Sequence, residues 1–238
     1  MASSDKSLLS AFAFYGAYHA NPINQLIHVI CVPAIYTTAL AFLTRAHLPA
    51  LPAASGGLLR LLGESAATPT AALPAAVLYA GYYLRLTLPR RPLLGLSAGA
   101  LALAALPLAH RVLSLGPSAM TITIGVHVAS WLAQFYGHGA HEGRSPALLD
   151  NLWRALCWAP SFLFFAPACC CAGLFFSLSP PRTHARTPPF VHAEALVMAP
   201  FFVFIESLMH LGLLSDFKAE VEPIIRKSLE EFKASRKQ

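Results

Sequence analysis

Residues 23–43 read INQLIHVICVPAIYTTALAFL, an apolar run without a single Asp, Glu, Lys or Arg. A helix needs roughly 17 to 25 mostly apolar residues to cross a bilayer, so this stretch predicts a transmembrane helix and decides the fold. Its polar residues crowd one end. YHANPINQLIH, residues 18–28, places His19, Asn21, Asn24 and His28 at the mouth of the run. Pro22 suits the first helical position and Asn21 the N-cap. That register puts Asn24 and His28 on one face, four residues apart, with His19 on the link just outside.

Further segments of similar character lie at 71–84, 92–109, 118–137, 155–178 and 195–214. The fold class that follows is all-α, a polytopic integral membrane helix bundle with about five or six transmembrane helices. Residues 1–214 form a single membrane-embedded domain. The Pro/Ala/Gly stretch 46–70 reads as a loop and 179–193 as a Pro-rich link. The tail, 215–238, alternates acidic and basic residues with Leu and Ile and reads as a solvated or surface-lying helix. Composition agrees: the chain is 56% hydrophobic and 12% charged, with mean hydropathy +0.56, whereas soluble domains are about 25% charged. The five cysteines make no CxxC pair and lie in apolar stretches, as small buried hydrophobes do. The N-terminus lacks the pattern of a cleaved signal peptide, so the first membrane helix is expected to serve as the targeting signal.

The net charge of +6 sits in short links and in the tail. It is read as a topology determinant and a set of lipid-headgroup contacts, with no nucleic acid as partner. If all six segments cross, one side carries Lys6, Arg85, Arg90, Arg91, Arg144, Arg154 and the tail's basic residues. The other carries Arg45, Arg60, Arg111, Arg182 and Arg186. The more basic side is cytosolic. Four crossings separate residues 18–28 from SWLAQFYGHGAHEGRSPALLDN, 130–151, and an even number returns the chain to the same face. Both polar clusters are therefore expected to meet on the cytosolic rim.

Taken as a continuous helix, residues 127–142 gather His127, Trp131, Gln134, His138 and Glu142 on one stripe. An ionisable group at the bilayer centre costs at least ~2.5 to 3.5 kcal/mol, so the stripe faces protein or a wet cavity. Histidines with a carboxylate are the donor set of iron or zinc. His127 and His138 stand ~16 Å apart along a helix rising 1.5 Å per residue, too far to share an ion unless the helix breaks, for which Gly137 is the candidate position. His127 therefore ranks below His19, His28 and His138, and is read with His47, His110 and His210 as a hydrogen-bonded contact. Glu142 is open to three readings: ligand, acceptor fixing the His138 tautomer, or partner of Arg144.

Two stretches, FYGAYHANPINQLIHVICVPAIY and WLAQFYGHGAHEGRSPALLDNL, resemble the Mpo1-like family of endoplasmic-reticulum membrane proteins. Tyr15, His19, Asn21, Pro22, Asn24, Ile27, His28 and Pro33 fill its first motif. Gln134, Phe135, Gly137, His138, Glu142, Arg144, Pro146, Asp150 and Asn151 are among those filling the second. The resemblance implies an iron(II)-dependent dioxygenase that uses O2 to shorten 2-hydroxy fatty acids by one carbon, in the α-oxidation branch of phytosphingosine breakdown. It places the metal on His19, His28 and His138 and maps the family's glutamate to Glu142; His127 and His141 fall outside the motif. Glu142 and Arg144 are the catalytic candidates, Arg144 as a carboxylate clamp or, equally, a lipid-headgroup contact. Phe12, Phe14 and Tyr36 are candidates for the acyl channel. In one respect the chain departs from the family: about 40 residues, near 155–193, separate DNL from APFFVFIE at 199–206, as an insertion or an unspliced intron would. Two other readings stay open, a non-catalytic lipid transporter or scaffold, and a zinc-dependent membrane hydrolase with Glu142 as base.

Overall fold

The computed structural model describes residues 3–52, 56–88, 90–143 and 191–235. The chain divides into two units, residues 1–144 with 197–238, and residues 145–196. Arg144, the expected span at 155–178, the cysteine run and most of the Pro-rich link lie outside the described residues.

The described residues are helical, with α1 (Ser3–Gly16), α2 (Pro22–Leu43), α3 (Gly56–Leu61), α4 (Ala72–Thr87), α5 (Pro92–Leu113) and α6 (Ala119–Tyr136). A π-helical turn (Gly137–Glu142) continues α6, and α7 (Val191–His210) and α8 (Ser215–Ser235) complete the order. Among the described residues there is no strand, only one isolated antiparallel bridge between His47 and Thr70. That bridge and α3 organise the stretch 46–70, where a plain loop is expected.

The opening prediction holds in detail. The Asn21 side chain accepts a hydrogen bond from the Ile23 N–H at 2.9 Å, Pro22 begins α2, and Asn24 and His28 are both buried. Among the described residues two helices, α2 and α5, are long and apolar enough to cross a membrane. A third path exists only if Val197–His210 and Ser215–Glu231, bent by 115°, are counted together. Five or six crossings are thus not established. At 16 residues α4 is short, and the Thr, Ser, His and Gln of α6 dilute its apolar character. Ile23, Leu26 and Ile30 on α2, Leu93, Leu96, Leu101 and Leu108 on α5, and Ile122, Val128 and Leu132 on α6 are exposed, an apolar surface of the kind that lipid covers.

Helix contacts follow from small residues. Gly95 and Gly99 form a G-x-x-x-G face on α5 that presses against α4. A Cβ at Gly95 would strike the Thr87 hydroxyl and stand 2.9 Å from the Tyr83 carbonyl. Leu40 and Ala41 of α2, Leu59 of α3, Ala72 and Ala76 of α4, and Leu106 and Ala109 of α5 form a buried cluster beside this seam.

Residues 3–16, assigned to no element in the sequence, form a helix because they find a partner. Leu8, Leu9, Phe12 and Ala13 of α1 are buried. The Phe12 ring lies 4.7 Å from that of Phe202 on α7 and 5.3 Å from that of Phe217 on α8. The tail helix is correspondingly less solvated than its charge suggests: Phe217 and Val221 are buried, and Ile225 meets Gly16. Arg91, ahead of α5, holds the start of α8 through Asp216 at 2.9 Å and Glu220 at 3.4 Å, with its guanidinium 5.0 Å from the centre of the Phe217 ring. Phe12 therefore builds the core rather than a channel. Phe14 is exposed, and the Tyr36 hydroxyl donates to the Ala102 carbonyl in the α2–α5 seam.

Candidate metal centre

Three imidazoles from three separate pieces of chain meet in one place. His19 comes from the turn after α1, His28 from the second turn of α2, and His138 from the π-helical turn. Ring centres are 4.3 Å apart for His19 and His28, and 4.9 Å for each paired with His138. All three are buried, and their ligand nitrogens lie within 4.8 Å of one another.

Local backbone fixes how two of these rings present themselves. His19 Nδ1 donates to the Tyr15 carbonyl at 2.7 Å, and His28 Nδ1 donates to the Asn24 carbonyl at 2.9 Å. A carbonyl can only accept, so Nδ1 carries the proton and Nε2 is left as the ligand atom in each. Such outer bonds are the usual way a ligating histidine is oriented. Three nitrogens bound at 2.0–2.1 Å to one ion stand about 3 to 4 Å apart, so small ring rotations close this cluster on a metal. The donor set fits a first-row ion that favours imidazole, such as iron or zinc.

Expectation and structure part company at the end of α6. The α-helix stops at Tyr136 and the π-helical turn takes over, so the stripe from 127 to 142 is not continuous. Wider turns of this kind recur at functional sites. Here the turn sits against α2 because Gly137 has no side chain: a Cβ there would collide with the Asn24 Oδ1 and stand 3.2 Å from Ile27 Cδ1. His127 does not join the cluster even so. The Trp131 indole N–H donates to His127 Nε2 at 3.1 Å. His127 Nδ1 donates to the Thr38 hydroxyl at 2.7 Å, which itself donates to the Ala34 carbonyl at 2.7 Å. Both nitrogens are used, one within α6 and one across to α2. His110 likewise pairs with buried Glu64 at 2.9 Å. His47 and His210 are exposed, and His210 bonds within its own helix, to the Glu206 carbonyl.

Glu142 stands outside the ligand group. Its Oε1 accepts from the Asn21 backbone N–H at 2.8 Å and from the Asn24 side chain at 3.1 Å, while the Asn21 amide donates to the His141 carbonyl at 3.3 Å. The carboxylate sits at the positive N-terminal end of α2, where an anion is favoured, and ties the π-helical turn to the segment bearing His19 and His28.

Comparison with known proteins fits this geometry. The profile of the family described as 2-hydroxy-palmitic acid dioxygenase Mpo1-like matches residues 6–168. The chain belongs to the Mpo1-like family. It is 36% identical over 158 residues to the 2-hydroxy-palmitic acid dioxygenase MPO1 of Saccharomyces cerevisiae, covering 66% of this chain and 78% of that protein. No solved structure matches it.

The Mpo1-like match takes in all three histidines and Glu142, and it ends before α7. Yet α7 completes the surroundings. The Phe202 ring lies 5.1 Å from His19 and 5.5 Å from Tyr15, and the Tyr15 ring is 5.9 Å from that of His19. One turn beyond Phe202, Glu206 is 2% exposed. Glu206 is not among the site residues expected from the sequence, although a carboxylate inside VMAPFFVFIESLMH is the signal that an apolar helix harbours a polar function.

Proposed function

We propose that this chain is an iron(II)-dependent dioxygenase that shortens 2-hydroxy fatty acids by one carbon, as in fatty acid α-oxidation. We place it in the endoplasmic reticulum membrane, crossing five or six times, with its site on the cytosolic rim. The observation that carries the reading is the convergence of His19, His28 and His138 within 4.8 Å. Membership of the Mpo1-like family and the printed activity of the yeast relative support iron and a 2-hydroxy acid over zinc and an amide or ester.

His19, His28 and His138 would hold the ion. When bound, iron(II) supplies the activation of O2 that oxidative cleavage between C1 and C2 requires. The chain's own residues do the rest. Tyr15 and Asn24 hold two imidazoles in a single tautomer through their carbonyls. Glu142 keeps the third, on the π-helical turn, in register with α2. Phe12, Tyr15 and Phe202 wall off one side from water. Arg144, two residues past Glu142, is assigned as clamp for the acid's carboxylate, a bidentate pairing that guanidinium geometry favours. The apolar outer surfaces of α2, α5 and α6 offer the acyl tail a route in from lipid.

The deciding measurement is metal content together with product mass, using the purified full-length protein and 2-hydroxyhexadecanoic acid. Stoichiometric iron, oxygen consumption and a product one carbon shorter are expected. Stoichiometric zinc without oxygen uptake would favour a hydrolase, and absence of bound metal a transporter or scaffold.

A further inference from the structure

Three buried side-chain atoms near the imidazoles have no hydrogen-bond partner among the described residues: Asn24 Oδ1, Gln134 Nε2 and Glu206 Oε2. Asn24 precedes His28 by one turn and Gln134 precedes His138 by one turn. Glu206 follows Phe202, the ring against His19, by one turn. It also lies within electrostatic reach of Glu142, which is hydrogen-bonded to Asn24. On three helices, then, a loose polar end lies one turn from a residue of the cluster or from the ring packed on it. Buried polar atoms are nearly always satisfied, and an ionisable group in an apolar helix marks a functional site by default.

We propose that Glu206 recognises the 2-hydroxyl of the bound acid, its Oε2 exchanging a hydrogen bond with that hydroxyl beside the imidazoles. The assignment rests on the 2-hydroxy acid reading above. Glu206 is outside the group whose ligand atoms converge, which leaves its carboxyl for the substrate rather than the ion. A hydroxyl suits it better than the acid's carboxylate does. The hydroxyl can donate to an ionised glutamate or accept from a protonated one, while an ionised glutamate repels a carboxylate. A site built to bond a hydroxyl rejects the analogue that lacks it, because its own polar group is then stranded.

The test compares binding of 2-hydroxyhexadecanoic and hexadecanoic acids to the full-length, metal-loaded protein without oxygen, by displacement of a fluorescent fatty acid. The wild type is expected to prefer the hydroxy acid. Glu206→Met should cut that preference at least tenfold, leaving hexadecanoic acid affinity and metal content unchanged. Its thermal midpoint should hold or rise, since an unsatisfied polar atom leaves an apolar setting. Glu206→Gln, which can still donate and accept, should keep the preference within about threefold. An unchanged preference in Glu206→Met overturns the assignment, as does loss of metal or a lowered midpoint in that variant, which would make the carboxyl a structural brace. A wild type with no preference overturns the 2-hydroxy acid reading itself, and this assignment with it.

Discussion

His127 and His138 show how differently one residue type can be used on one helix. His127 is spent on neighbours, receiving from Trp131 and giving to Thr38, whereas His138 turns toward two other imidazoles. Replacing His19, His28 or His138 by alanine should remove bound metal and activity together, as mass spectrometry of the purified variants would show. Full metal in any one of them would strike that residue from the ligand set. His127→Phe should instead keep its metal and lose ~1 to 3 kcal/mol of stability, the cost of stranding a buried hydrogen-bonding group, read from its thermal midpoint. Glu142 belongs with the supports: Glu142→Ala strips the Asn21 N–H and the Asn24 amide of their acceptor. Loss of such an outer support typically weakens metal affinity 10- to 100-fold, so a metal titration should show a shift of about that size. Glu142→Gln, which retains an acceptor oxygen, should fall in between.

At the scale of elements, the π-helical turn is what lets α6 address α2. Gly137→Ala would force either the Asn24 side chain or the whole turn to move, and with it His138. We expect a sharp fall in metal affinity from a single methyl group, with helix content by circular dichroism unchanged. The docking of α8 on α1 offers a contrast in magnitudes. Phe217→Ala, in a 1% exposed site, should cost ~3 to 5 kcal/mol. Arg91→Ala should cost far less and its effect should fade in high salt, because Asp216 and Glu220 are exposed and water screens such pairs. The Arg91 hydrogen bond holds the Asp216 carboxyl below its ordinary range. The pair therefore contributes at neutral pH and is lost as pH falls through that lowered value.

For the molecule as a whole, the ion would add a further tie among the α1–α2 link, α2 and the end of α6, which Glu142 already holds together. Metal binding and folding should then be coupled. A ligand present at 100 times its Kd stabilises a fold by ~2.7 kcal/mol. Iron(II) added to chelator-stripped protein should raise the thermal midpoint of the wild type and leave that of His138→Ala unmoved. An equal rise in both would mean the ion binds elsewhere. The apolar belt on α2, α5 and α6 makes the same assembly a guest of lipid, so these midpoints belong to protein in micelles or nanodiscs.

Much of this was legible from residue order alone. The run 23–43, the Asn21–Pro22 helix start and the facing of Asn24 with His28 follow from covalent spacing and the 3.6-residue period, which are local properties. The ranking of His138 over His127 followed from the rise of a helix. What local rules could not supply was the partner surface. Helix α1 forms against α7 and α8, the π-helical turn against Asn24 and Ile27, and Glu142 settles on the end of α2, each through contacts distant in sequence. The importance of Glu206 was hidden for the same reason. Its carboxylate was visible in the sequence, but its place one turn from the ring that packs on His19 exists only once the helices have packed.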